Sequence, residues 1–168
     1  PQWAVDAVPE FKGHIWAPDI IYHNGLYHLY YSVSAFAKNT SCIGVATSPT
    51  LDPTDKNFKW TDHGKVIQSV PGRDFWNAID PAVAVDDAGT PWMAFGSFWG
   101  GIKLVKLTSD LKAVAQPEVW QTVAKRSRDF KTHDYDPGEG AVEAPFIFRK
   151  GGFYYLFISL DYCCRGAN

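Results

Sequence analysis

Two carboxylic acids of this sequence stand in a setting that suits acid–base chemistry. Asp80 directly precedes Pro81, Glu143 lies two residues before Pro145, and an apolar run follows each. Apolar surroundings raise the pKa of a carboxyl group because they disfavour its charged form, and a general acid needs a raised pKa. A carboxylate before a proline can also cap a turn. The sequence indicates that the two acids occupy equivalent positions in two copies of a repeated unit. For this reason we favour the catalytic interpretation.

Groups suited to a neutral polyol lie in the segments around these acids. Aromatic side chains offer large faces for a sugar ring, and uncharged polar tips can hydrogen-bond to hydroxyl groups. The candidates are Trp16, Phe36, Asn39, Trp76, Asn77, Ser97, Phe98 and Trp99. A tryptophan in a β protein more often belongs to the core. Stacking is therefore favoured for Trp16, Phe36 and Trp99, which lie in loop-like sequence near Gly, Pro or Ser.

The elements that must position these residues are short strands. Runs rich in Tyr, Phe, Val and Ile are separated by Gly, Asn, Asp and Pro, and no helical periodicity stands out. Residues 20–22 and 26–32 flank an Asn-Gly pair, which is the strongest short-range signal for a β-hairpin. A third strand is predicted over residues 43–48, and the region of Trp60 is expected to supply a fourth.

The same strand–turn–strand unit recurs along the chain. Its three copies start near Pro18, Pro81 and Pro145, which lie 63 and 64 residues apart. A repeat of this size with about four short strands is typical of a β-propeller blade. The sequence therefore predicts an all-β fold, a partial propeller domain over residues 1–168 in which innermost strands carry the candidate residues to a central funnel. Asp19, just after its proline, either faces this funnel or anchors a loop.

The number of blades predicts that more of the propeller exists. Closed propellers have about four to eight blades, whereas this sequence holds two full repeats and half of a third. An open stack would expose sheet edges and apolar faces. We therefore expect the chain to be a fragment, or one piece of a molecule whose remaining blades come from the same or another chain.

Composition excludes several classes of partner. The net charge is −2 with no basic run, which argues against a nucleic-acid or anionic membrane surface. No segment approaches the roughly 18 continuous apolar residues of a membrane span. The five histidines and three cysteines show no metal-ligand spacing, so no metal site is predicted from the residues. The neighbours Cys163 and Cys164 form either a strained vicinal disulfide or two reduced thiols.

Five segments of the chain resemble glycoside hydrolase family 43, and within it the endo-arabinanases, which cut α-1,5-linked arabinan with five-bladed propellers. They are residues 14–19, 30–36, 76–81, 95–101 and 142–146. Asn-Ala-Ile-Asp-Pro together with Gly-Ser-Phe-Trp-Gly-Gly is specific to the arabinanase branch. Glu-Ala-Pro alone is shared with xylosidases and arabinofuranosidases.

The resemblance implies roles for individual residues. Glu143 matches the general acid, and Asp80 matches the auxiliary Asp that orients this acid and tunes its pKa. The sugar subsites are expected to involve Trp16, Phe36, Gly44, Asn77, Ala78, Ile79, Ser97, Phe98 and Trp99. The general base of the family is an Asp in a preceding blade, and the setting of Asp6 does not match it.

The expected activity is endo-acting hydrolysis of α-1,5-linked L-arabinan with inversion, by a secreted protein because the substrate is a cell-wall polymer. Without the base, the chain alone is expected to have little activity. No cofactor is expected for this chain, although the resemblance implies a calcium or other ion at the centre of the full propeller. The alternatives are an exo-acting arabinofuranosidase or xylosidase and a non-catalytic carbohydrate-binding propeller segment.

Overall fold

The fold consists of three antiparallel sheets and one short helix. A computed structural model describes residues 1–163 of the chain. The helix is α1 (Gln2–Ala7), and the strands are β1 (Ile15–His23), β2 (Leu26–Val33), β3 (Ser41–Ser48), β4 (Thr61–Ser69), β5 (Ala82–Val85), β6 (Pro91–Phe95), β7 (Ile102–Lys106), β8 (Gln121–Ala124), β9 (Val142–Lys150) and β10 (Phe153–Leu160). The sheets are β1-β2-β3-β4, β5-β6-β7-β8 and the pair β9-β10.

Each predicted repeat forms one sheet, so the all-β, blade-like architecture is confirmed. The first hairpin turns at Asn24 and Gly25, whose φ angles are 50° and 82°. Positive φ at both central residues is typical of the turn whose twist matches antiparallel strands. The fourth strand expected near Trp60 is β4.

The helix α1 was not predicted from the sequence. It buries Ala4 completely, and Val8, which follows the helix, is also fully buried beside Val33 and Cys42. Six residues are too few to show a helical period, and the segment is stabilised by packing on the first sheet rather than by its own propensity.

The hydrophobic core lies between neighbouring sheets. Tyr30, Ile43, Met93 and Phe95 are fully buried and belong to one cluster that joins the first and second sheets. The hydroxyl of Tyr30 also donates a hydrogen bond of 2.6 Å to the carbonyl of Leu111 in the second repeat. A smaller cluster, Ala82, Ala94, Ile102 and Val142, joins the second and third sheets. The blades therefore pack face to face, which brings their innermost strands together.

Gly44 is required by packing inside the first blade. A Cβ atom at this position would lie 2.7 Å from Cζ of Tyr31 and 2.8 Å from the ring of Trp3. We expect Gly44→Ala to lower the free energy of unfolding by about 1–3 kcal/mol, because two packed rings must move. Denaturant unfolding measures this change, and the loss should shrink in a Trp3→Leu background. Unchanged stability in Gly44→Ala would contradict the packing.

Candidate active site

The innermost strand of each blade starts with a distorted backbone. The residue before each repeat proline has a positive φ, 39° at Ala17, 56° at Asp80 and 51° at Ala144. This conformation is unfavourable for residues other than glycine and clusters at functional sites. The pairing of β1 with β2 is also irregular between Trp16 and Asp19. The pairing of β9 with β10 has a similar irregularity between Glu143 and Phe146, and such bulges re-aim the side chains next to them.

A cavity of about 680 Å³ lies where these strand ends meet. Nine predicted site residues line it: Trp16, Phe36, Asn77, Ile79, Asp80, Ser97, Phe98, Trp99 and Glu143. They come from all three blades. The structure thus brings both candidate acids and most candidate sugar contacts to one mixed aromatic and polar surface.

The two acids do not occupy equivalent blade positions, which corrects the sequence analysis. Asp80 is the left-handed residue directly before its proline, whereas in the third blade that residue is Ala144. Glu143 instead corresponds to Ile79 in the second blade. Both acids line the cavity nevertheless. The last two residues before the proline, Ile79 and Asp80 in the second blade and Glu143 and Ala144 in the third, all lie on its wall.

Glu143 is held by the neighbouring blade. The hydroxyl of Ser97 donates a hydrogen bond of 3.0 Å to Oε2 of Glu143. The backbone N–H of Phe98 donates to the carbonyl of Val142 at 2.9 Å, so main-chain contact reinforces the side-chain bond. Ser97 was predicted as a sugar contact, and the structure shows that it contacts the candidate acid.

Asp80 makes hydrogen bonds to both neighbouring blades. Its Oδ2 accepts the backbone N–H of Ala144 at 3.0 Å, and its own N–H donates to the hydroxyl of Ser32 at 3.1 Å. Burial raises the pKa of the Asp80 carboxyl from 3.8 to about 6. The negative charge of Glu143 raises this pKa further, and the Ala144 hydrogen bond opposes the rise. Asp80 therefore changes charge close to neutral pH while sharing a cavity with a second acid.

Asp19 serves the architecture of the blades. Its Oδ2 accepts the backbone N–H of Val83 at 2.7 Å, and burial raises its pKa. It is not among the cavity-lining residues. Of the two interpretations left open by the sequence, the structure favours the anchor. Asp80 makes the same type of bond to the next blade, so its contact is both architectural and part of the cavity wall.

A buried polar network supports the wall behind Asn77. Oδ1 of Asn77 accepts a hydrogen bond of 2.6 Å from the hydroxyl of Ser41, which lies 2.7 Å from that of Ser34. Asn39 was predicted to offer a polar tip to a sugar. It is buried instead, and its amide donates to the carbonyls of Asp74 and Trp76.

Three predicted sugar contacts lie away from the cavity. Gly44 faces the rings of Trp3 and Tyr31 in the first blade. Ala78 is fully buried in the core between the first two sheets. Trp76 stacks on Trp120 with ring centroids 4.8 Å apart and packs against the same core. Close packing explains all three positions.

Seven residues that the sequence did not single out also line the cavity: Ala35, Ala37, Lys38, Pro137, Ala144, Tyr162 and Cys163. The Tyr162 ring lies 5.5 Å from the ring of Phe98. A signal for Tyr162 was present, because an aromatic residue follows each repeat serine within four positions, as Phe36 follows Ser32. No comparable signal marks Pro137 or Lys38.

Among residues 1–163, no group of three or more His, Cys, Asp or Glu side chains is placed to hold a metal ion. The ion that the resemblance implies for the full propeller stays a prediction. In the same part of the chain no helix is long and apolar enough to cross a membrane.

Cys42 is buried and Cys163 exposed. Cys164 lies outside the described residues, as does the predicted pairing with it.

This geometry agrees with comparisons to known proteins. Residues 2–168 match the family model described as glycosyl hydrolases family 43. The chain belongs to this family. It is 56% identical over 168 residues to the extracellular exo-α-(1→5)-L-arabinofuranosidase of Cellvibrio japonicus, covering 100% of this chain and 48% of the relative. It is 43% identical over 166 residues to the extracellular endo-α-(1→5)-L-arabinanase 1 of Bacillus subtilis, covering 99% and 46%.

A solved structure shows the same fold over nearly the whole chain. The α-L-arabinanase of Cellvibrio cellulosa complexed with arabinohexaose superposes with a TM-score of 0.95 at 55% identity, covering 98% of this chain and 52% of that one. The chain thus spans about half the length of the relatives that it matches. The three sheets are accordingly a partial version of the five-bladed propeller of this glycoside hydrolase family.

Proposed function

We propose that the protein hydrolyses α-1,5-linked arabinan with inversion at the cavity between its blades. The observation that carries the proposal is the meeting of Asp80 and Glu143, from neighbouring blades, on one aromatic-lined wall. The enzymes named among the relatives act on α-(1→5)-L-arabinan, and one solved relative holds arabinohexaose. These similarities support arabinan as the substrate of this site.

In this mechanism Glu143 is the general acid. Its carboxyl proton passes to the glycosidic oxygen as the bond breaks, so that the sugar leaves as an alcohol rather than as an alkoxide. The Ser97 hydroxyl binds Oε2, which fixes the plane of the carboxyl group. Trp16 and Phe36 are proposed to contact the sugar faces, since both line the same cavity.

Asp80 is proposed to position and assist the acid. It accepts the N–H of Ala144, the residue after Glu143, and thereby fixes the backbone that carries the acid. Two neighbouring carboxyl groups resist simultaneous ionisation. The charge of Glu143 accordingly contributes to the raised pKa of Asp80.

The general base is proposed to come from a segment of the protein beyond residues 1–163. Inversion needs a second carboxylate roughly 6.5–9.5 Å from the acid to activate water. Among the acids of the described residues, only Asp80 and Glu143 line the cavity, and Asp80 is bonded to Ala144. Neither Asp6 nor Glu10 lines the cavity, which supports a base from another part of the protein.

Further blades are proposed to cover the third sheet. The large apolar side chains of β9 and β10 are mostly exposed, including Phe146, Phe153 and Phe157. Exposed apolar patches of this kind mark interaction surfaces. This exposure supports the prediction that remaining propeller blades, from the same or another chain, pack here.

Internal cleavage was predicted from the sequence, and release from chain ends is the second candidate. The relative at 56% identity is named as exo-acting, whereas the one at 43% is named as endo-acting. The higher identity favours the exo mode as a candidate for this protein. Both relatives are named extracellular, which supports action outside the cell on a polymer.

We expect the native protein to release soluble arabino-oligosaccharides from linear arabinan, measured by chromatography of the products. A ladder of lengths would assign endo cleavage, and a single short product would assign exo cleavage. Xylan is the control substrate, and none of it should be cleaved. Sugar binding without any release from arabinan would instead favour a non-catalytic propeller.

A further inference from the structure

The connection between β8 and β9, residues 125–141, forms one side of the cavity. Pro137 from this connection lines the cavity together with Trp99 and Tyr162. We propose that Arg128 is a positioning residue that holds this connection against a bound arabinan chain and so determines the affinity for longer oligosaccharides. The inference rests on the proposed function.

The guanidinium of Arg128 is bound to the backbone of the connection. Nη1 donates to the carbonyl of Pro137 at 2.6 Å, and Nη2 donates to those of His133 and Asp136 at 2.7 and 2.5 Å. A planar guanidinium presents its donors in a rigid fork, whereas an ammonium is a compact charge without that geometry. Three carbonyls that converge on one rigid group hold the turn 133–137 closed.

The same connection is fastened to the aromatic wall. The ring of Phe75 lies 5.1 Å from the guanidinium carbon of Arg128, and the carbonyl of Phe75 accepts the N–H of Gly100. The indole N–H of Trp99 donates to the carbonyl of Asp134 at 2.9 Å. Arg128 and Trp99 therefore hold one turn from two sides, and a change in Arg128 is transmitted to the cavity wall.

Only glycine fits at position 138 while this arrangement is closed. Its φ is 75°, and a Cβ atom there would lie 2.9 Å from Nη1 of Arg128. Its carbonyl accepts a hydrogen bond from the hydroxyl of Tyr162 at 3.2 Å. Nη1 and Nη2 of Arg128 donate to backbone carbonyls, and the proposed substrate is neutral. Arg128 therefore acts by fixing the shape of the cavity wall and not by attracting a charged ligand.

The test is calorimetric titration with arabinohexaose and with arabinobiose, in which every variant is made in the native protein carrying Glu143→Gln, so that neither sugar is cleaved during the measurement. Arg128→Ala is expected to raise the Kd for arabinohexaose about tenfold, a loss of about 1.4 kcal/mol, with a much smaller change for arabinobiose. Arg128→Lys should behave like Arg128→Ala, because it keeps the charge and loses the fork. The control is Arg149→Ala, whose arginine pairs with Asp87 at the far end of β9 and should leave both affinities unchanged.

A second variant keeps the test decisive if Arg128→Ala does not fold. Gly138→Ala retains Arg128 but forces it away, so the same selective loss of arabinohexaose affinity is expected. If the Glu143→Gln protein with Arg128 intact binds neither sugar, the proposed function is overturned. If it binds arabinohexaose, and a folded Arg128→Ala or Gly138→Ala variant has the same affinity, only the role of Arg128 is overturned.

Discussion

Replacing Glu143 by Gln is expected to lower kcat on arabinan by roughly 10² to 10⁴-fold, which is the usual contribution of a general acid. The glutamine amide oxygen can still accept the Ser97 hydroxyl that now binds Oε2. The cavity shape is therefore retained, but no carboxyl proton is available for the leaving oxygen. Initial rates of reducing-end release from linear arabinan measure the loss.

Sugar affinity should survive this substitution. Calorimetric titration of Glu143→Gln with arabinohexaose is expected to give a Kd of the same order as the KM of the wild type for this sugar, so that turnover and binding separate. Glu10→Gln is a matched control, since Glu10 is exposed and does not line the cavity. Near-normal turnover in Glu143→Gln would show that another group supplies the proton.

Asp80→Asn is expected to lower kcat by roughly 10²-fold, the cost of a misplaced catalytic group. It should also change the pH profile. The pKa of Asp80 is about 6, and its charged form is the stronger acceptor for the Ala144 N–H next to the acid, so wild-type activity should rise as the pH rises through about 6. The asparagine variant carries no titrating group at this position and should lack that step. Rates measured from about pH 4.5 to about pH 7.5, a range centred on the pKa of Asp80, compare the wild type with Asp80→Asn.

Although Asp80→Asn is expected to lose activity, it should gain stability at neutral pH. Because folding raises the pKa of Asp80 from 3.8 to about 6, its contribution to stability is full below about 3.8 and declines as the pH rises through about 6. At about 1.4 kcal/mol per pKa unit, the total reaches up to about 3 kcal/mol. Asparagine avoids this loss, so Asp80→Asn should be more stable than the wild type at pH above about 6.

A matched substitution separates the catalytic role from the architectural one. Asp19→Asn alters the same kind of bond to the next blade, but Asp19 does not line the cavity. We expect near wild-type activity from Asp19→Asn and a large loss from Asp80→Asn. Equal losses of activity in the two variants would mean that Asp80 acts only through blade packing.

Local patterns in the sequence were sufficient for the strands. The Asn24-Gly25 pair favours a tight turn with positive φ angles, and runs rich in Tyr, Ile and Leu mark the strands on either side. The recurrence of this unit after Pro81 and Pro145 was enough to predict blades. The helix α1 was missed because its stability comes from contacts with β3 and β4 rather than from its own six residues.

The errors in the candidate site have one physical source, which is packing between distant segments. The ring of Trp3 occupies the space beside Gly44, and Trp120 occupies the face of Trp76. Neither contact is visible in the local sequence. Asp80 and Glu143 lie one and two residues before their prolines, an offset that is visible in the sequence itself.

The most direct test of Glu143 as general acid compares two substrates that differ in their leaving groups. Protonation is essential for a sugar alkoxide and dispensable for a phenolate as stable as 2,4-dinitrophenolate. We predict that Glu143→Gln loses turnover of arabino-oligosaccharides but hydrolyses 2,4-dinitrophenyl α-L-arabinofuranoside at a rate close to that of the wild type. Equal losses on both substrates, or no loss on either, would contradict the assignment of Glu143 as the acid.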